Sequence, residues 1–367
     1  MKKNRVLQVI GSLSMGGAEN VAMNLYRYID REKFEYHYLV YGEKIGIFEK
    51  EVLALGGKVI HIDEPSNGYI KFSKEIEKVL IEHGPYDIIH SHTLFNSGFA
   101  LKMAKKVGVK KRIAHSHSTK NKVRNSIYIK FYQVIMRKLI LKYATDYISC
   151  SQEAGVFLFG EKVFLNRGKI MKNGIKLDKY KFNPITRQKV REEFNINHKF
   201  VVGHVGRLVQ VKNQLFLIDI FKQLVTLRED ACLILVGEGN DRGLLEDKIN
   251  EYKLTSSVIL TGNRDDADEL MQAMDVFVFP SLFEGLGLAL IEAQAAGLHC
   301  IASNKVPREA FITDLVKQIS LDEPIEHWAN IINEIQEVDR NQYYPKLEKG
   351  DYNIELLASS VESLYLD

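Results

Sequence analysis

The stretch MDVFVFPSLFEGLGLALIE, residues 274–292, reads as a strand that turns through two glycines into a helix. The run VFVF has no polar position, as a strand covered on both faces requires. Gly285 and Gly287 fall where the helix should begin, and Glu284 and Glu292 flank the turn. Gly285 to Leu288 should form the turn itself, aiming the first helical N–H groups at an anion such as a phosphate. Glu284 lies before the turn and Glu292 about one turn inside the helix. Both can therefore face one elongated ligand. A carboxylate accepts two hydrogen bonds and suits the vicinal hydroxyls of a ribose or a sugar.

Outward from this unit the same rhythm repeats. Apolar runs such as RVLQVIGSL, YHYLVYG, KVIHI, YDIIHSH, RIAHSH and DYISCS alternate with helical stretches in the first half of the chain. After about residue 184 the alternation restarts with FVVGHVG, CLILVGEG, SVILTG, VFVFP and HCIAS. Short apolar strands separated by amphipathic helices predict parallel sheets, and two such blocks predict an α/β protein with two Rossmann-like domains. The expected boundaries are residues 1–168 for the first domain, 169–184 for a connection and 185–351 for the second. NIELLASSVESLYLD has no strand after it, so 352–367 should be a helix packing back on the first domain. Ligands of such sheets bind beyond the C-terminal strand ends, which places the expected active site between the facing edges of the two domains.

Composition narrows the class. The chain has 367 residues, 46% hydrophobic and 26% charged, as in a soluble globular protein. No apolar run reaches the eighteen or so residues that cross a bilayer. MKKNRVLQVIGSL is basic and then apolar, but the apolar run is short, and it reads as a first strand. Cys150, Cys232 and Cys300 are far apart, which fits a reducing cytosol and neither a disulfide framework nor a zinc site. Net charge is +3, unevenly spread: residues 1–184 hold 32 Lys and Arg against 17 Asp and Glu, the remainder 18 against 30. From Ile88 to Thr145 there is no acidic residue, while Lys102 to Lys142 holds 13 basic ones interleaved with Ile127, Tyr128, Phe131, Tyr132 and Ile135. A basic amphipathic surface of this kind suits an anionic partner, a lipid leaflet in preference to nucleic acid; the plain alternative is a solvated helix face.

The loops after strands carry the remaining chemistry. In GSLSMGGAEN, Gly16 and Gly17 allow a close turn into a helix whose N-terminus suits an anion, or simply a tight turn with Glu19 as a cap. HSH occurs at 90–92 and again at 115–117. Strand alternation puts His90 with His92, and His115 with His117, on common faces. No cysteine or carboxylate accompanies them, so polar histidines lining the site, with His117 nearest the loop tip, are favoured over a metal centre. Arg207 and Lys212 share the loop GHVGRLVQVKNQ and can clamp a pyrophosphate without a metal. VGEGNDRG lacks the spacing of a dinucleotide fingerprint, and no acidic residue ends the next strand, so a nicotinamide site is not expected. Asp266 and Asp268 in RDDADEL read as caps opposing a helix dipole. Taken together, two cations, a helix N-terminus and two hydroxyl-binding carboxylates describe a site for a nucleoside diphosphate sugar.

PSLFEGLGLALIEAQAAG resembles the E-x7-E signature of retaining glycosyltransferases of the GT-B fold, in the large family-four group. GGAE, HSH, NGI (173–175), GRL…VKN and VGEG follow in the order and spacing of that group, and the likeness covers nearly the whole chain. It is strongest to transferases of exopolysaccharide and capsular polysaccharide synthesis. The resemblance implies that Glu292 holds the donor ribose and Glu284 the donor sugar. It implies that Arg207 and Lys212 neutralise the departing diphosphate, while the backbone of Gly287 and Leu288, with Gly16 and Gly17, cradles phosphate. His117 would sit beside the donor sugar, Asn173 would line the cleft, and Glu238 and Arg264 would lie near the base. His299 stands where the group usually has proline, a detail of strand entry.

The same resemblance implies transfer with retained anomeric configuration, no cofactor and no metal, from a donor that is a UDP-sugar by family habit. The acceptor would be a glycan or lipid-linked saccharide, and the protein cytoplasmic and peripheral on the inner membrane leaflet. Two rival readings stand beside it: a non-catalytic nucleotide-sugar-binding partner of another transferase, and a GT-B epimerase or phosphorylase.

Overall fold

A computed structural model of the chain describes residues 3–14, 16–118 and 126–367. The chain divides into two units, Met1–Gly174 with Ile354–Asp367, and Ile175–Asn353.

The first unit is built on a seven-stranded parallel sheet: β1 (Asn4–Val9), β2 (Phe34–Tyr41), β3 (Lys58–Ile62), β4 (Ile88–Ser91), β5 (Lys111–Ser116), β6 (Asp146–Ser149) and β7 (Gly168–Ile170). Their order is β3-β2-β1-β4-β5-β6-β7. The order reverses between β1 and β4, where Gln8 stands opposite His90 and Val9 opposite Ser91. That reversal is the topological switch point at which such sheets place ligands. The C-terminal helix Ile354–Leu366 packs on this sheet. Its Ile354, Leu357, Val361, Leu364 and Tyr365 share a core with Val6, Leu25, Tyr26 and Tyr36. These positions recur every three or four residues, so one face is apolar and meets the sheet.

The second unit carries six parallel strands: β8 (Phe200–Val205), β9 (Ala231–Val236), β10 (Val258–Gly262), β11 (Val276–Phe279), β12 (His299–Ser303) and β13 (Val316–Ile319). Their order is β10-β9-β8-β11-β12-β13, again reversing, here between β8 and β11. All four residues of β11 are fully buried. Burying a Phe or Val side chain stabilises by roughly 1.5–3 kcal/mol, so this strand anchors the loop that follows it. Gly203 in β8 is required by packing: a Cβ there would lie 1.9 Å from the sulfur of Met274.

Two strands are absent from the sequence-based reading. β7 falls partly within the expected connection, and β13 follows HCIAS unannounced. Both are sheet edges of three and four residues, largely unburied, too short for an apolar run to stand out.

The helix Ile127–Tyr143 begins at Ser126, whose hydroxyl accepts from the Tyr128 N–H. It buries Met136 and Ile140 and leaves Ile127, Tyr128, Phe131, Val134 and Ile135 exposed. Lys130, Lys138 and Lys142 are exposed on the same helix. Lys120, Lys122 and Arg124 of the basic run lie outside the described residues. Among the described residues no helix is long and apolar enough to cross a membrane.

Candidate active site

In the second unit, the loops after β8 and β11 are stitched together. The Leu282 N–H donates to the Val211 carbonyl at 2.8 Å. Asn213 Nδ2 donates to the Pro280 carbonyl at 3.1 Å. Asn213 has φ +60, a left-handed conformation that asparagine tolerates, and it ends the short turn Gln210–Lys212. This turn brings Lys212 Nζ to 2.6 Å from Glu284 Oε1. Ser281 Oγ donates to the same oxygen at 2.6 Å. The ammonium also lies 5.1 Å from the centroid of the Phe279 ring. Glu284 and Lys212 are thus one buried unit, their side chains 8% and 19% exposed.

Gly287, at φ +87, is the N-cap of the helix Leu288–Ala295. A left-handed N-cap favours glycine, and the first N–H groups of the helix, from Leu288 on, have no partner within it. Glu292 lies one turn inside, half-buried, and accepts a hydrogen bond from the Tyr180 hydroxyl. Burial pushes its carboxyl up to about 7; the Asp268 charge acts in the same direction and the Tyr180 bond opposes both. The two glutamates of the opening stretch therefore differ: one faces an ammonium, the other a phenol.

Arg207 is exposed, and among the described residues its guanidinium has no ion-pair partner. Gln214 Nε2 fixes its backbone by donating to the Arg207 carbonyl at 2.8 Å. The Glu238 carboxylate pairs with Arg242, while its carbonyl accepts from the Leu208 N–H at 2.9 Å. Arg264 grips both oxygens of Asp266, at 2.6 and 2.7 Å, and reaches Glu193 at 3.3 Å. This corrects the capping role expected of Asp266: it is the N-cap of the helix Ala267–Ala273 by position, but its side chain makes no capping bond because Arg264 occupies it. A cavity of about 650 Å³ lies at the opposite end of this sheet, lined by Arg187, Arg191, Lys199, Arg228, Asp275 and Arg340. Arg187, Arg191 and Arg340 donate to the Gln272 and Ala273 carbonyls at the end of the helix Ala267–Ala273, which accounts for them structurally.

The first unit gathers its polar residues at the C-terminal ends of β1, β4 and β5. His92 Nδ1 lies 2.8 Å from His117 Nε2, and His92 Nε2 lies 2.8 Å from Gln8 Oε1. His90 Nε2 lies 3.1 Å from His115 Nδ1, and His90 Nδ1 lies 2.8 Å from the Tyr365 hydroxyl. Gln8 Nε2 donates to Tyr365 at 3.0 Å. The rings stack, with His115 and His117 centroids 4.0 Å apart. Burial drives all four imidazoles far below their ordinary pKa, His90 and His117 to about 3, so the quartet is neutral at physiological pH. Ligand atoms of His90, His92 and His115 lie within 4.8 Å of one another, close enough for a shared ion. Their hydrogen bonds already engage both nitrogens of His90 and His92, and among the described residues no carboxylate or thiolate joins the group.

Gly16 is the extended N-cap of the helix Gly17–Tyr28. The Glu19 side chain folds back over it, accepting from Ser12 Oγ at 3.3 Å; a Cβ on Gly16 would lie 2.2 Å from its carboxylate. Asn173 is half-buried, and its Oδ1 has no hydrogen-bond partner among the described residues.

Gln8, Tyr365, Tyr180 and Ser281 belong to these arrangements and escaped the sequence reading. Gln8 had a signal, a polar residue inside the otherwise apolar strand RVLQVIG. Tyr180 and Tyr365 had none.

Two parallel doubly wound units, each with polar groups at its C-terminal strand ends, have the architecture of the GT-B fold. The comparisons agree. Residues 186–349 match the family described as glycosyl transferases group 1, and residues 15–179 match glycosyltransferase family 4. EpsF of Bacillus subtilis (strain 168), assigned as a glycosyltransferase, is 35% identical over 90% of this chain and 87% of its own. CapH of Staphylococcus aureus, a capsular polysaccharide biosynthesis glycosyltransferase, is 24% identical over 99% of this chain and 98% of its own. Anabaena HepE, solved in complex with UDP, superposes with a TM-score of 0.78 at 20% identity, covering 99% of each chain. The chain belongs to the family-four glycosyltransferases of the GT-B fold.

Proposed function

We propose that this glycosyltransferase moves a sugar from a UDP-sugar to a glycan or lipid-linked saccharide with its anomeric configuration retained, without a metal or other cofactor, in the synthesis of a surface polysaccharide. The observation that carries the reading is the Lys212–Glu284–Ser281 cluster, with Arg207, unpaired among the described residues, on the same loop as Lys212. Lys212 and Arg207 supply two positive charges on one loop. They stabilise the diphosphate as the bond from the anomeric carbon to its oxygen breaks, with the electron pair leaving on that oxygen. The N–H groups at Gly287 and Leu288 add a dipole of the same sign. Glu284 is held by two donors, which suits a carboxylate that orients a sugar hydroxyl better than one that attacks carbon. The acceptor oxygen then attacks from the face the diphosphate leaves, and its proton passes to the departing phosphate oxygen.

Glu292 takes the ribose hydroxyls. Glu238 and Arg264, whose side chains are paired elsewhere, serve the base through their backbone. In the first unit Gly16 and Gly17 accommodate phosphate, Asn173 offers its Oδ1, unpaired among the described residues, and His117 a ring nitrogen to substrate. The exposed apolar and basic face of Ile127–Tyr143 rests on an anionic membrane surface where a lipid-linked acceptor is presented. The UDP seen in HepE and the capsular role of CapH support the donor and the pathway class.

A panel of nucleotide sugars, scored for thermal stabilisation and release of nucleotide in the wild type and in Glu292→Ala, tests this reading. One donor should stabilise the protein and be slowly hydrolysed, and both effects should vanish in the variant. Binding without turnover, even with membrane extract as acceptor, would instead identify a non-catalytic partner.

A further inference from the structure

The histidine quartet holds more information than its distances. Each neutral imidazole has one N–H and one bare nitrogen, so every hydrogen bond constrains the next. Gln8 Oε1 can only accept, so His92 carries its proton on Nε2 and leaves Nδ1 bare. His117 must then donate to it from Nε2, which leaves His117 Nδ1 without a proton. In the second chain His115 Nδ1 meets His90 Nε2 and His90 Nδ1 meets the Tyr365 hydroxyl, a group that can donate or accept, so these contacts alone do not fix its direction. Among the described residues, the two ring atoms with no partner are His117 Nδ1 and His115 Nε2, the outer ends of the two chains. Turning the Gln8 amide over would reverse the first chain and place an unpaired N–H at His117. A buried donor without a partner is rarer and costlier than a buried lone pair, so the observed direction is favoured.

We propose that Gln8 is a positioning residue that sets the tautomers of His92 and His117, so that His117 presents a bare Nδ1 lone pair and accepts a hydrogen bond from a substrate hydroxyl. His115 is 1% exposed and His117 half-buried, so His117 is the end nearer solvent, with its Nδ1 itself buried and unpartnered among the described residues. The hydroxyl-accepting half of the proposal rests on the glycosyl-transfer reading; the tautomers do not.

The test is a long-range proton–nitrogen correlation spectrum of protein with ¹⁵N-labelled imidazoles at neutral pH, assigned by single His→Gln variants. His92 and His117 should appear as Nε2–H tautomers. Gln8→Met, similar in length but without an acceptor, should switch His117 to Nδ1–H. It should lower kcat by about 10²-fold at little-changed KM for the donor, the usual scale for one misplaced proton-handling group. Gln8→Glu retains an acceptor and should restore both the tautomer and most of the turnover. A wild-type spectrum with His117 protonated on Nδ1 overturns the relay, whether or not the variants fold. A switched tautomer with unchanged kcat overturns the role of His117. The expected spectrum in a protein that turns over no nucleotide sugar would overturn the transferase reading and leave the relay standing.

Discussion

Lys212 Nζ lies 2.6 Å from Glu284 Oε1, so two side chains from loops seventy-two residues apart in sequence act as one group. Removing either leaves the other buried and unpaired, which costs more than the pair itself contributes. Lys212→Ala and Glu284→Gln should each lower turnover by about 10²–10³-fold. The double variant should lose much less than the product of the two, because their effects are coupled. Multiplicative losses in a double-mutant cycle would show that the two residues act separately.

Arg207 behaves differently because it is exposed and unpaired among the described residues. Arg207→Ala should leave stability within about 0.5 kcal/mol of the wild type, as surface substitutions do. It should still reduce kcat by about 10²-fold. A thermal melt and a steady-state assay on one preparation check both statements.

Glu292 predicts a pH dependence. Its carboxyl is raised from 4.5 to about 7 in the folded protein, so folding binds a proton there. Its contribution to stability is present below about 4.5 and is lost as pH rises through about 7. Donor affinity should move the opposite way, since the ionised carboxylate is the better acceptor for ribose hydroxyls. Tyr180→Phe removes a bond that holds the pKa down, and should shift the affinity profile to higher pH. Titration calorimetry from pH 5.5 to 8.5 on both proteins measures the shift.

The histidine quartet gives the reverse sign. The four imidazoles are pushed below 6.5, His90 and His117 to about 3, so below 6.5 the unfolded chain binds protons the folded one refuses. Stability from these groups is complete above 6.5 and falls as pH drops toward 3. Urea midpoints should decline over that range. His90→Gln, which removes one such group, should flatten the decline.

For the helix Ile127–Tyr143, Phe131→Glu should reduce co-sedimentation with vesicles containing phosphatidylglycerol and leave donor hydrolysis intact. Binding of the wild type should weaken with salt, because screening shortens to about 8 Å at physiological ionic strength. Equal binding to neutral vesicles at high salt would leave this face without its proposed partner.

The parallel αβ rhythm, the glycine turn at Gly287 and the C-terminal helix were legible because each depends on local pattern. An apolar run, a residue tolerant of positive φ and a three-to-four residue period are properties of neighbours in sequence. Edge strands β7 and β13 were not legible, since short, half-wet strands have no such pattern. Asp266 was misread for a related reason: its carboxylate could cap its own helix, but Arg264 two residues earlier competes for it and wins with two charged hydrogen bonds.

The order of motifs along the chain was thus enough to determine the two parallel sheets, the family and the residue types at each strand end. Tertiary structure alone decided which of those residues meet. It joined Lys212 to Glu284, set Tyr180 against Glu292, and closed the histidine quartet with Gln8 from the first strand and Tyr365 from the last helix. The physical reason is that protonation depends on burial and on the partner across a hydrogen bond, and both come from chain segments brought together only by folding.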